Sequence, residues 1–111
     1  MRVDTLSRTF AALADPTRRA ILSRLAQGPA TVTELAAPHA MTLPSVSRHL
    51  RVLETAGLVV KGREAQWRPC TLAPEPLVEA DEWMAPYRDF FASRLPRLAE
   101  VLRDSSERNP T

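Results

Sequence analysis

"PSVSRHLRVLE", residues 44–54, decides how this chain is read. Its apolar positions Val46, Leu50 and Leu53 recur at helical spacing, so one side calls for burial. On a wheel advancing about 100° per residue, those three fall within roughly 60° of one another. Pro44, Arg48, Arg51 and Thr55 fall on the opposite side, and no acid stands among them. Ser45 and Ser47 lie on the flanks near the start of the helix, and His49 sits at the edge of the buried stripe. Hydroxyl and guanidinium groups held outward in this way suit the major groove of DNA. They donate to phosphate oxygens, and an arginine can bind guanine O6 and N7 with two hydrogen bonds. The helix N-terminus adds partial positive charge and free N–H groups. One such helix alone reads first as a solvated basic surface, and it is the neighbouring elements that turn the reading toward DNA.

Immediately before it, Thr42 can cap a helix running over 43–56, with Pro44 in the first turn, where a missing N–H costs nothing. Gly57 stops it. Further back, "TVTELAA" opens with Thr31 three residues before Glu34, a capping-box spacing, and predicts a short helix ending by Pro38. Placed there, it would cross the phosphates and brace the next helix, as in a helix-turn-helix. After Gly57 the period changes. "LVVKG" and "QWRPCTL", flanking "REA", predict a β-hairpin over 58–72. Pro69 demotes its second strand to an edge or bulged position. Lys61, Arg63 and Arg68 make this a basic wing able to reach the DNA backbone or minor groove.

The ends are helical. "RVDTLSRTFAALA" places Val3, Leu6, Phe10 and Leu13 on one stripe. Asp15-Pro16 then starts a second helix, "TRRAILSRLAQ", which buries Ile21, Leu22 and Leu25, keeps Arg18, Arg19 and Arg24 near the surface, and stops at Gly28-Pro29. From Pro76 to about Arg103, helical spacing returns through Leu77, Ala80, Trp83, Met84, Tyr87, Phe90, Phe91, Leu95, Leu98 and Leu102. Pro86 and Pro96 predict kinks there, or two segments. The expected fold is mainly α with a small β-hairpin: four helices, the hairpin and a last helix. One domain is expected over 1–104, with 105–111 a disordered, frayed tail.

With 111 residues, 44% hydrophobic and 25% charged, the chain has the composition of a soluble globular domain with one modest core. No apolar run approaches the ~18–20 residues of a membrane span. The start "MRVDTLSRTF" lacks the apolar core of a secretory signal, and a single cysteine, Cys70, fits a reducing cytoplasm. Net charge is only +2, but residues 1–72 hold ten Arg and Lys against five Asp and Glu, while residues 73–111 hold five against eight. A polyanion would therefore meet the first two-thirds.

"LADPTRRAIL", "VTELA", "PSVSRHLRVLETAGLV", "REAQWRPCTL" and a Trp/Tyr/Phe-rich final helix, in that order, resemble the ArsR/SmtB family of bacterial winged helix-turn-helix regulators. The resemblance covers about residues 5–103. It implies a winged helix-turn-helix fold, a homodimer and operator DNA as partner; members usually repress, releasing DNA when a signal binds. Position by position, Thr42, Ser45, Ser47, Arg48, His49 and Arg51 match the recognition-helix region, and Lys61, Arg63 and Arg68 lie in the wing. Metal-sensing members often carry Cys-x-Cys in the helix before the recognition helix, where this chain has Glu34-Leu35-Ala36-Ala37. Others carry Asp and His ligands on the last helix, yet residues 75–103 contain no His, and thiol-switch members need two cysteines. The resemblance is to the branch without those sites, so no metal or cofactor is expected and the inducer stays open.

Several residues keep two readings. His49 is either a DNA contact or a packed, hydrogen-bonded histidine at the core edge. Cys70 shares strand parity with Leu72 and so faces the core, unless it is an exposed thiol activated by nearby cations. His39, in the turn, reads as a surface residue. Val3, Leu6, Phe10, Leu13, Trp83, Tyr87, Phe90, Phe91, Leu95 and Leu98 read as core and dimer interface, with a small-molecule pocket the other use of those aromatics. Two-fold pairing would set two recognition helices about 34–36 Å apart, one DNA turn. The competing reading is a winged-helix interaction module that does not bind DNA. Catalysis ranks last, because no Ser-His-Asp or Cys-His arrangement and no Walker loop is present.

Overall fold

In a computed structural model, which describes residues 4–62 and 68–108, the chain forms five α-helices and one antiparallel hairpin. Their order is α1 (Thr5–Leu13), α2 (Pro16–Leu25), α3 (Val32–Ala36), α4 (Leu43–Thr55), β1 (Val59–Lys61), β2 (Cys70–Leu72) and α5 (Glu75–Arg108). This is the expected order, and the fold is a winged helix-turn-helix. The molecule divides into two units, residues 1–80 and 81–111.

In the first unit, caps set the helix starts. Asp4, Asp15, Thr31 and Thr42 each accept the backbone N–H three residues on, and Thr31 and Glu34 complete the capping box. Gly57, at φ 77°, ends α4. Its N–H reaches Glu54 O at 2.9 Å and that of Leu58 reaches Leu53 O at 2.9 Å, the paired bonds of a Schellman turn, with Leu53 and Leu58 buried beside it. Between α3 and α4 the chain makes one 3-10 turn, Ala37–His39. It then passes through Ala40 at φ 50°, a left-handed conformation unusual for a residue with a Cβ. The His39 side chain lies outside what the structure describes.

One core joins these elements. Ile21, Leu25, Leu35, Val46, Leu50, Leu53, Leu58 and Cys70 are at most 3% exposed. Burying each large aliphatic side chain contributes roughly 1.5–3 kcal/mol. Helix α1 enters the core through Thr9 and Ala12, whereas Leu6 and Leu13 are half-buried and Phe10 is exposed. The Thr9 hydroxyl is satisfied by donating to Thr5 O at 3.0 Å. The hairpin pairs Val59 with Leu72, Val60 with Thr71 and Lys61 with Cys70. Pro69 sits just outside β2. Cys70 also exchanges both backbone hydrogen bonds with Ala30, tying the wing to the loop after α2. The Cys70 thiol faces the core as its parity implied, and burial raises its pKa above the ordinary cysteine value.

The first turns of α5 belong to this unit: Leu77 packs on the core and Ala80 is buried. The second unit is the rest of α5. The expected break into two segments does not occur, since one α-helix continues through Pro86 and Pro96. Each proline removes its own N–H bond and crowds the carbonyl four residues back, that of Glu82 or Ala92, without ending the helix. The helix also runs to Arg108, taking in residues 105–108 of the stretch expected to fray. Arg88 pairs with Asp81, and the Arg94 guanidinium lies 3.7 Å over the Phe90 ring.

Candidate nucleic-acid interface

Helix α4 is anchored from behind by Val46, Leu50 and Leu53, all fully buried, and held from one side by a polar cluster. Asp15, the cap of α2, accepts the Arg18 N–H at 3.0 Å, which draws its carboxyl below the usual carboxylate range; desolvation opposes this shift. Arg18 in turn donates Nε to Ala12 O at 2.7 Å and a terminal nitrogen to Ala11 O at 3.2 Å, and Arg19 donates to Leu13 O at 2.6 Å. Two guanidinium groups thus satisfy the open carbonyls at the end of α1, where cations are favoured. These are structural arginines, and Arg18 is half-buried rather than a surface charge.

His49 completes that cluster. Its Nδ1 stands 3.4 Å from an Arg18 nitrogen and 3.8 Å from Asp15 Oδ2, and its side chain is 22% exposed. These contacts turn the ring toward the α1–α2 corner. With Arg18 also bonded to Ala11 O and Ala12 O, this contact joins α1, α2 and α4 at one point. Behind α3, Arg24 reaches Glu34 at 3.7 Å.

What remains outward is a coherent set. Arg48 and Arg51 are exposed, and no acidic partner is recorded for either among the described residues. Thr42 is exposed; its oxygen accepts Ser45 N–H at 3.3 Å, and a hydroxyl so engaged still has a proton to donate. Ser45 and Ser47 are half-buried on the two flanks. In the wing, Lys61 is half-buried and Arg68 exposed, while Arg63 lies outside the described residues. Leu43 (48% exposed) and Val52 (41%) were missed by periodicity. Leu43 falls near the buried stripe on the wheel, but one turn before Val46 it has run past the core. An apolar side chain beside an arginine in this position can meet a thymine methyl group.

Among the residues expected to form an interface, Val3 lies outside the described residues. Trp83, Tyr87, Phe90, Phe91, Leu95 and Leu98 are each 50–55% exposed. Within the second unit, the Trp83 and Tyr87 rings lie 5.1 Å apart, and Phe90 is edge-on to Phe91 at 5.6 Å. A contiguous apolar face of this kind is a liability in water unless it is covered. No helix among the described residues is long and apolar enough to cross a membrane.

Comparison with known proteins identifies the family and the fold. A helix-turn-helix domain family matches residues 13–61. The transcriptional regulator Rv2034 of Mycobacterium tuberculosis is 58% identical over 52 residues, 47% of this chain and 49% of that protein, so the match spans about half its length. The transcriptional repressor SdpR of Bacillus subtilis is 33% identical over 79 residues, covering 71% of this chain and 88% of SdpR. The solved structure of the ArsR family transcriptional regulator RHA00566 is 42% identical with a TM-score of 0.72, covering 80% of this chain and 98% of that one. The homodimeric winged helix-turn-helix DNA-binding domain of Mb0332 from Mycobacterium bovis, a possible ArsR-family regulator, is 30% identical with a TM-score of 0.61; coverage is 85% and 84%.

Proposed function

Because this chain belongs to the ArsR family of winged helix-turn-helix transcriptional regulators, we propose that it is a cytoplasmic, homodimeric repressor that reads a roughly palindromic operator. Helix α4 enters the major groove. Arg48 and Arg51 donate to base edges and phosphates, and Thr42, Ser45 and Ser47 fix the helix N-terminus on the backbone. Lys61, Arg63 and Arg68 of the wing add phosphate contacts. His49 acts one step back, by holding the angle of α4 against α1 and α2. The observation that carries this reading is the two-sidedness of α4, with three fully buried aliphatics behind and two exposed guanidinium groups in front.

The second copy covers Leu6, Phe10 and Leu13 of α1 and the exposed apolar side chains of α5. Two-fold pairing presents the two copies of α4 one helical turn apart, about 34–36 Å. Residues 1–104 serve as a single DNA-binding and dimerising domain. The repressing sign is supported by the similarity to SdpR, a repressor. Selecting bound fragments from the source genome and measuring their affinity against salt tests the proposal. A steep fall with rising salt is expected, because phosphate contacts release counterions. No selected sequence, or a flat salt response, would instead favour a protein-interaction module on the same fold.

A further inference from the structure

A groove of about 460 Å³ runs along α1 and the C-terminal half of α4, wholly within the first unit. Its volume falls in the range of about 300–1,000 Å³ typical of small-molecule sites. Its apolar lining, Ala11, Ala12, Val52 and Ala56, has no long side chain and so offers an apolar platform. Arg8, Arg18 and Arg51 stand around it, and no acid is present among the described lining residues.

The three cations are not equivalent. Arg18 is pinned by its hydrogen bonds to Ala11 O and Ala12 O, so its charge is a fixed feature of the wall. Arg8 and Arg51 carry exposed side chains at the groove, with the Asp4 carboxylate near enough to Arg8 to feel its charge. Thr55, also in the lining, donates its hydroxyl to Arg51 O at 2.8 Å, which turns its polar end back onto its own helix. An apolar platform beneath three guanidinium groups matches a planar organic anion. The ring would lie on alanine and valine, and the carboxylate would take paired N–H donors, the geometry at which arginine excels.

We propose that this groove binds an aromatic carboxylate and that occupancy draws Arg51 away from DNA, lowering operator affinity. The regulatory half rests on the reading of α4 as the DNA-facing helix. Arg51 is the shared residue: it lines the groove and belongs to the outward set, so it cannot serve a ligand carboxylate and a DNA contact at once. The ligand then acts by direct competition for one guanidinium, with no rearrangement of the fold required.

The test uses 2-naphthoate as probe and uncharged 2-naphthamide as control on the full chain. In amide NMR spectra without DNA, 2-naphthoate should give saturable shifts at Ala11, Ala12, Val52 and Thr55, and the amide control should not. Arg8→Gln should weaken binding by at least about tenfold, the worth of a charge-assisted hydrogen bond. Ala11→Phe, which fills the platform, should abolish binding while DNA affinity without probe is kept. Saturating probe should weaken operator binding by about 5- to 150-fold, the usual range of coupling between sites. Absence of saturable groove shifts, including the case where a second copy already fills the groove, overturns the proposal. Groove shifts with unchanged operator affinity overturn its regulatory half. A protein that takes the probe in its groove yet binds no DNA refutes the DNA-facing role of α4 while upholding the ligand site.

Discussion

Replacing Arg48 or Arg51 with alanine removes an exposed guanidinium from α4 without touching the Val46–Leu50–Leu53 anchor, so the fold should survive either change. The described cations Arg48, Arg51, Lys61 and Arg68 number four per protomer, hence eight in a dimer. If all meet phosphate, log affinity should fall with log salt at a slope of about −7, a loss near 10⁴-fold between about 50 and 200 mM. An arginine that only touches phosphate takes about 1.8 off that slope when removed from both protomers, and weakens specific and random DNA alike. An arginine that reads guanine costs ~1–3 kcal/mol in each half-site, about thirtyfold to over ten-thousandfold for the dimer, and confined to the specific sequence. Fluorescence anisotropy on a selected duplex and a scrambled one, across a salt series, separates these outcomes for each arginine. If both variants remain folded dimers and neither affinity nor slope moves, the outward face of α4 does not carry the DNA contact and the reasoning fails.

Other consequences follow from the fold. Leu50→Ala opens a cavity at a fully buried site joining α4 to the core and should cost ~2–5 kcal/mol in urea unfolding; a loss below 1 kcal/mol would mean the site collapses freely. Ala40→Gly relieves the left-handed strain in the turn before α4 and should stabilise by up to ~1 kcal/mol, whereas Ala40→Val should destabilise; equal melting temperatures for both would place the strain elsewhere. The Asp15 carboxyl is held below its ordinary value by the Arg18 N–H, so its cap is at full strength above about pH 4, the unfolded carboxyl value, and weakens as pH falls through the lower folded value. Asp15→Asn, which still caps but cannot titrate, should leave stability at pH 7 nearly unchanged and flatten the acid limb of the pH–stability curve. Trp83→Ala and Phe90→Ala remove exposed aromatics of α5 and should loosen the dimer, losing DNA binding as a consequence; intact dimers in sedimentation would contradict this.

Most of the element order is written locally. Caps such as Asp15-Pro16 and Thr31-x-x-Glu34, the stop at Gly57, and the 3.6-residue spacing of Val46, Leu50 and Leu53 act over a few residues, so they can be recognised before any tertiary contact is known. The same periodicity exposed Arg48 and Arg51, because a helix with one buried stripe has only one place to put what is left. Local signals failed where long-range contacts decide. That Thr9 and Ala12 enter the core while Phe10 stays exposed depends on how closely α1 approaches its neighbours, which spacing alone does not encode. His49 fell at the edge of the wheel, and only the arrival of Asp15 and Arg18, 34 and 31 positions earlier in the chain, turned it inward. The Ala30–Cys70 bridge joins segments forty residues apart, and although Cys70 lies in a predicted strand, nothing around Ala30 announces it as the partner. Pro86 and Pro96 predict kinks or two segments, and the choice between them was not local: one 34-residue helix continues through both, its hydrogen bonds on either side carrying it past each proline. Sequence periodicity thus sets which faces are apolar and which are charged; tertiary packing alone settles which polar side chains are spent holding the scaffold and which are left free to meet a partner.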